Sequence, residues 1–372
     1  MKVIHFCTYY VGSKVYERFF AALYDKNIEQ KVFIPIRRSS DKNKNRNIND
    51  DVVKIKLIHV HCLSILTKIS YFIKVFFVFI ASLTKIGRSR SYGVVHAHTL
   101  YADGIPAFLY SKLTGKKLVI TLRNTDVNLG FRFFVHYKWL ARFALSYSSK
   151  IIFVSVAHQN IFLNYFGDEY KEKLVVCPNG IDDYFIENSL LSKEIIKSYV
   201  GLYVGSIDKN KNILNAIISF FHVNKNRDWR FIVLGGSYKD FCRVYGEIPP
   251  KIKANVTFIE KTSDKKHLSS IYDQASVFIM PSYLETFGLV YIEAISRCIP
   301  VVYTKGQGID GIFDDNTVGF SCEPDNSLSI ESAIEKTQEL FPNGLGPFKK
   351  KNICTRFSWN IIARDFVEGF YK

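Results

Sequence analysis

Short apolar runs alternate with amphipathic stretches along the whole chain. Residues 3–7, 31–35, 52–57, 94–98, 117–121, 151–155 and 174–177 are mostly unbroken apolar runs, as expected of parallel strands covered on both faces. Between them, 13–24, 104–113, 131–146 and 158–166 repeat apolar residues at helical spacing. The pattern restarts after residue 200. Strands are expected at 201–205, 231–234, 256–259, 277–280 and 301–303, and helices at 212–222, 265–273, 288–296 and 328–340. Alternation of this kind predicts doubly wound parallel sheets, and its restart predicts two Rossmann-like α/β domains. Pro178-Asn179-Gly180-Ile181-Asp182, a turn-forming cluster, separates the halves.

One stretch departs from this rhythm. Residues 63–84 are very apolar but are interrupted by Lys68 and Lys74 and closed by Lys85. The longest uncharged part, 75–84, is half the roughly 20 residues a membrane-spanning helix needs. Two readings stand: a buried domain helix, or an amphipathic helix in a membrane interface with Lys68, Lys74, Lys85, Arg88 and Arg90 on lipid phosphates.

Composition adds one asymmetry. Hydrophobic (48%) and charged (23%) fractions are those of a globular chain and exclude wholesale disorder. The net charge of +16 sits entirely in residues 1–180, with 27 basic and 11 acidic side chains against 23 and 23 in the remainder. The first half is therefore expected to meet an anionic partner: nucleic acid, lipid headgroups or a phosphorylated substrate. The polar run 37–51 lacks the interleaved aromatics of a nucleic-acid patch and reads as a solvated loop. The seven cysteines are scattered without zinc-ligand spacing, as in reduced cytosolic proteins, and the N-terminus enters a strand pattern without an apolar leader.

The chemistry must come from the strand-to-helix turns. No G-x-G-x-x-G follows the first strand, where Tyr10-Val11-Gly12-Ser13 stands, and there is no Walker A sequence, which removes the main support for a dinucleotide-dependent dehydrogenase or a P-loop NTPase. The turn after residue 280 is the most informative: Pro281-Ser282-Tyr283-Leu284-Glu285-Thr286-Phe287-Gly288-Leu289 leads into a helix carrying Glu293. Backbone N–H groups of Phe287, Gly288 and Leu289 at that helix start suit a pyrophosphate. Glu285 and Glu293 are spaced to grip different hydroxylated parts of one ligand, and on spacing alone read equally as a helix-start charge and an exposed helix residue. His96 and His98 form an H-x-H pair with no third ligand evident nearby, so His98 is read as lining substrate or as packed; Asp103 reads as a helix N-cap.

Glu285-x-Phe287-Gly288-x-x-x-x-Glu293 resembles the E-x-F-G-x-x-x-x-E signature of retaining GT-B glycosyltransferases of family four. Pro281-Ser282 before it, Pro300-Val301-Val302 and Gly306-Gln307-Gly308 after it, Pro178-Asn179-Gly180-Ile181-Asp182, and Gly205-Ser206-Ile207-Asp208-Lys209-Asn210-Lys211-Asn212 are similar to further family motifs in the same order. The resemblance implies two Rossmann-like domains, 1–180 with a last helix (357–372) packing back on it and 181–356, around a deep cleft. It implies a nucleotide-sugar donor (UDP- or GDP-linked), retention at the anomeric carbon, no metal, and a glycan acceptor.

Carried over by position, Glu285, Asp126 and Arg123 would be catalytic. Gly12, Ser206, Lys211, Gly235, Thr286, Phe287, Gly288, Leu289 and Glu293 would hold the donor, with Glu293 on the ribose hydroxyls and Lys211 on the diphosphate. Ser13, His98 and Asn124 would line the acceptor. Ser206 stands where the family often has Arg, and Arg123 where it often has His, so Arg123 is expected to supply a cation. The basic first half then suits a lipid-linked or surface-glycan acceptor at the inner membrane face, with an otherwise cytoplasmic enzyme that binds no nucleic acid. A nucleotide-sugar epimerase of the same fold, and a basic nucleic-acid-binding protein, are the alternatives.

Overall fold

The computed structural model describes residues 1–43, 54–88, 91–190, 192, 198–314, 316–346 and 350–372. The start of the strand expected at 52–57, Arg90 and most of the 37–51 run lie outside these residues. The chain forms two compact units: Met1–Val154 with His158–Gly180 and Trp359–Lys372, and Ser155–Ala157 with Ile181–Ser358.

The first unit holds seven parallel strands: β1 (Lys2–Phe6), β2 (Glu29–Ile36), β3 (Ile55–His61), β4 (Val94–Ala97), β5 (Lys117–Leu122), β6 (Lys150–Phe153) and β7 (Leu174–Val176). They are ordered β3-β2-β1-β4-β5-β6-β7. Alternation along each strand divides the core in two. Val3, Val32, Val94, Val119 and Ile152 pack under α1 (Lys14–Asp25) and the C-terminal Trp359–Asp365 helix. Ile4, Phe33, Val95, Leu118, Ile120 and Ile151 face the other side, under α2 (Tyr71–Lys85) and α3 (Ile105–Thr114), with α4 (Lys138–Tyr147) against α3.

Two expected helices in this unit are broken. The 63–84 stretch forms one turn, Leu66–Ile69, before Ser70 leaves helical geometry and caps α2 by accepting from the N–H of Ile73. Serine favours that break because its hydroxyl replaces a missing helical partner. The 131–146 stretch stops at Phe134, which has left helical geometry and whose ring packs on Tyr71 and Tyr101 at 5.6 and 5.2 Å, and it resumes as α4.

The second unit holds β8 (Tyr199–Val204), β9 (Trp229–Leu234), β10 (Val256–Ile259), β11 (Val277–Met280), β12 (Val301–Thr304) and β13 (Gly319–Cys322), all parallel, ordered β10-β9-β8-β11-β12-β13. Between β6 and β7 lies α5 (Val156–Phe166); the second unit adds α6 (Ile213–Asn224), α7 (Tyr238–Tyr245), α8 (Lys265–Gln274), α9 (Leu289–Ser296) and α10 (Ser327–Leu340). The sequence pattern missed α7, which starts at a Ser237/Asp240 capping box, and β13. Gly319 permits β13: at φ +151° a Cβ there would lie 1.8 Å from the carbonyl oxygen of Val301 on β12. In each sheet the order reverses once, at β1/β4 and at β8/β11, and the carboxyl ends of those strand pairs are where open α/β sheets bind ligands.

Candidate functional site

In the second unit the turns after β8 and β11 meet at that reversal. Asn210 ties them with three bonds: its carbonyl accepts from the N–H of Tyr283 (2.8 Å), its side-chain amide donates to the carbonyl of Leu284 (2.8 Å), and its side-chain oxygen accepts from the N–H of Leu284 (3.0 Å). Clamped in this way, Lys211 and Glu285 form a 2.6 Å ion pair with side chains only 19% and 13% exposed. The turn after β12 closes the third side: Gln307 accepts from the N–H of Glu285 (3.0 Å), and the carbonyl of Glu285 accepts from the N–H of Gly308 (3.1 Å). A Cβ on Gly308 would sit 3.2 Å from the Glu285 side chain. The pair is a fixed cation and anion at the mouth of the sheet, and Lys211 uses one of its three donors on Glu285.

The start of α9 lies beside it. Gly288, the N-cap, sits at φ +77°, a left-handed conformation suited to glycine, and a Cβ there would strike the ring of Tyr291 at 2.5 Å. The N–H groups of Phe287 and Gly288 meet no acceptor among the described residues. That of Thr286 donates to the carboxylate of Glu285 (3.0 Å), so one N–H expected to face a ligand is already engaged. Phe287 contributes only backbone, since its ring is buried against Phe357. Leu289 is half-buried as the first residue of α9. Glu293 is half-buried and accepts a 3.0 Å bond from the hydroxyl of Tyr272 on α8. Gly235, after β9, approaches Gly205 so closely that a Cβ would lie 1.9 Å from its carbonyl oxygen. Ser206 is exposed and donates to Asp208 (2.7 Å).

The first unit builds a second constellation at the ends of β1, β4 and β5. Asp103 is buried and accepts from the backbone N–H (2.9 Å) and hydroxyl (2.6 Å) of Thr8 and from the hydroxyl of Thr99 (2.8 Å). It is therefore not the expected helix cap. Thr99 caps instead, and Asp103 ties the β1 and β4 turns together. Asp126 is buried and accepts from the N–H groups of Tyr101 and Arg123, both at 3.1 Å. Burial raises the carboxyls of Asp103 and Asp126 to about 6 and about 7. Arg123 lays its guanidinium over Tyr16 (4.7 Å) and donates to Asn179 (3.1 Å), while its buried Nε has no hydrogen-bond partner among the described residues. Asn124 accepts from Asn128. Gly12 is exposed, and Ser13 caps α1 by accepting from the N–H of Val15 (3.3 Å). Lys74 is half-buried, and burial lowers its ammonium, opposed by Asp103 and Asp126.

His98 does not line an open surface. It is fully buried and shares a 3.1 Å hydrogen bond with His5, and the third imidazole of the cluster belongs to His96, opposite His5 in the β1–β4 register. Their ligand atoms lie within 4.8 Å of one another, so the third histidine that the H-x-H pair lacks in sequence is supplied across the sheet. Both nitrogens of His96 are engaged, at 2.8 Å each, by Tyr371 and Thr121. Burial lowers all three imidazoles, His5 to about 3.

Sequence reasoning did not single out Tyr272 or the pairing role of His5, and it passed over Asn210 and Gln307 inside quoted motifs; neither a tether nor a cross-strand neighbour has a spacing signature. Two parallel-sheet α/β units of this order make up the GT-B fold. Residues 17–184 match the family described as Glycosyltransferase Family 4 and residues 191–340 that described as Glycosyl transferases group 1. The two matches fall one on each half of the chain, and both are to glycosyltransferases. A capsular polysaccharide biosynthesis glycosyltransferase, CapM of Staphylococcus aureus, is 30% identical over 264 residues, 65% of this chain and 66% of that protein. The lipopolysaccharide outer core galactosyltransferase WaaB aligns with TM-score 0.72 and 14% identity over 99% of this chain and 98% of its own. Anabaena HepE in complex with UDP aligns with TM-score 0.69 and 17% identity over the same shares of the two chains.

Proposed function

We propose that the protein is a retaining glycosyltransferase that takes a sugar from a UDP- or GDP-linked donor and passes it to a lipid-linked or surface glycan at the inner face of the membrane. The observation that carries this reading is the Lys211–Glu285 pair beside the start of α9, at the sheet reversal. The leaving diphosphate gains charge as the glycosidic bond breaks. The remaining ammonium donors of Lys211 and the N–H groups of Phe287 and Gly288 are fixed where that charge develops, which is how preorganised donors lower a barrier. No divalent metal is needed in this scheme, because the cationic groups take its place. Glu285 contacts the donor sugar and orients Lys211. Glu293, steadied by Tyr272, accepts from the ribose hydroxyls. The acceptor hydroxyl attacks from the face the diphosphate leaves, its proton passing to a departing phosphate oxygen. In the first unit, Asp126 and Asp103 set the turns that carry Arg123 and the acceptor-facing backbone.

The UDP complex of HepE and the glycan chemistry in the names of CapM and WaaB support the donor and acceptor classes. The test is a screen of UDP- and GDP-sugars by thermal shift, followed by product analysis by NMR. A true donor at 100 times its dissociation constant adds about 2.7 kcal/mol. Glu293→Ala is expected to abolish that shift, and the product is expected to keep the donor's anomeric configuration. Conversion of the nucleotide sugar without any acceptor would instead support the epimerase reading.

A further inference from the structure

We propose that the first unit docks on an anionic bilayer through a two-part apolar face, α2 with its preceding turn on one side and the 133–147 segment on the other. This rests on the membrane-acceptor reading above and assigns the surface that serves it. A helix covering a core needs one apolar stripe. Here α2 has two. Tyr71, Val75 and Val78 face the core, while Phe72, Phe76 and Ile80 point outward at i, i+4 and i+8, with Phe76 59% exposed. Ile69, in the preceding turn, is 77% exposed.

The second part was not visible in sequence, because 131–146 read as one amphipathic helix. With the break at Phe134, Phe133, Val135, Trp139 and Phe143 are all exposed. The parts join through Tyr137, whose ring meets Tyr71 at 4.5 Å and the edge of Phe72 at 5.4 Å; Trp139 then leans on Phe143 at 6.1 Å.

Charge selects the occupant. Residues 54–167 contain fifteen Lys or Arg and two acids, Asp103 and Asp126, both buried; just beyond them, Glu169 pairs with Arg142 of the 133–147 segment at 3.5 Å. Lys68, Lys85, Arg88 and Arg132 are exposed and have no carboxylate partner among the described residues. An apolar patch that contains a tryptophan and is flanked in sequence by these four unopposed cations fits the boundary between acyl chains and anionic headgroups. A protein partner would need its own acids, whereas a bilayer of anionic lipid supplies them uniformly. Lys74 is only half-exposed and is not counted among these cations.

The experiment is sedimentation of the full chain with vesicles of phosphatidylglycerol and phosphatidylcholine in equal parts, or of phosphatidylcholine alone, in low salt and in 0.5 M salt. The parent is expected to bind the mixed vesicles in low salt and to be released in high salt. Phe76→Glu and Trp139→Glu are each expected to weaken binding about ten-fold or more. Lys85→Gln with Arg88→Gln is expected to weaken it about five-fold per charge. All should keep the parent's melting midpoint and its thermal shift with a nucleotide sugar. Unchanged binding by Trp139→Glu overturns the two-part face, and equal binding to pure phosphatidylcholine overturns the anionic partner. Self-association without vesicles that the same two variants abolish assigns the face to a second copy and overturns docking. Because the nucleotide-sugar shift reports on the other unit, failure of the donor reading shows separately.

Discussion

Lys211 and Glu285 hold each other at 2.6 Å, so each is expected to matter for turnover more than for folding. Lys211→Met is expected to lower kcat/KM by roughly 10²–10³, the usual cost of removing one preorganised donor. The pair acts as a unit, so Lys211→Met with Glu285→Gln should lose less than the two single effects multiplied, as a double-mutant cycle of initial rates would show. Tyr272→Phe removes the hydroxyl donated to Glu293 and should raise KM for the donor several-fold while leaving kcat nearly unchanged. Gly235→Ala is a different kind of change. Its Cβ has no room beside Gly205, so a lowered melting midpoint of the second unit is expected, measured by calorimetry. Glu285 and Glu293 could be singled out in sequence because their spacing is local, and Lys211 through its resemblance to a family motif. The tethers Asn210, Gln307 and Tyr272 were not, since what fixes them is which loops the sheet order brings together.

At the scale of elements, the buried ends of β1, β4 and β5 carry opposing acid responses. His5 falls from 6.5 to about 3, so the folded unit binds fewer protons than the unfolded chain, and this stability is present above about pH 6.5 and lost as pH falls. Asp103 rises from 3.8 to about 6, so its folded form takes a proton first and favours folding as pH falls from 6 toward 4. Thermal midpoints of the parent, His5→Leu and Asp103→Asn between pH 7.5 and 4.5 should therefore separate. His5→Leu is expected to give a shallower acid decline than the parent, and Asp103→Asn a steeper one. Equal slopes would remove the cluster from the account of acid stability. Most strands were read within a few residues, because continuous apolar runs mark parallel strands directly. The helices at 63–84 and 131–146 were misread because a capping serine and the packing of one phenylalanine decide where each ends. Strand β13 was missed because its apolar signal is weak and its place depends on a glycine lying against β12.

Across the whole molecule, the corner proposed to hold the donor and the apolar face proposed to meet the membrane lie on different units. Hydrogen exchange is expected to show protection by a nucleotide sugar in 205–211 and 285–289, with none in α2. Slowed exchange confined to α2 would contradict the donor assignment. The sequence by itself determined the class: the alternation of elements, its restart, the glutamate-containing turn and the charge held in the first half are all short-range or compositional properties. Only the tertiary structure decided the neighbours: the third histidine beside His96 and His98, the burial of Asp103 and Asp126, and the union of two distant segments into one greasy face. Sequence spacing reports which face of an element a residue occupies, whereas strand order and side-chain packing determine what stands opposite it.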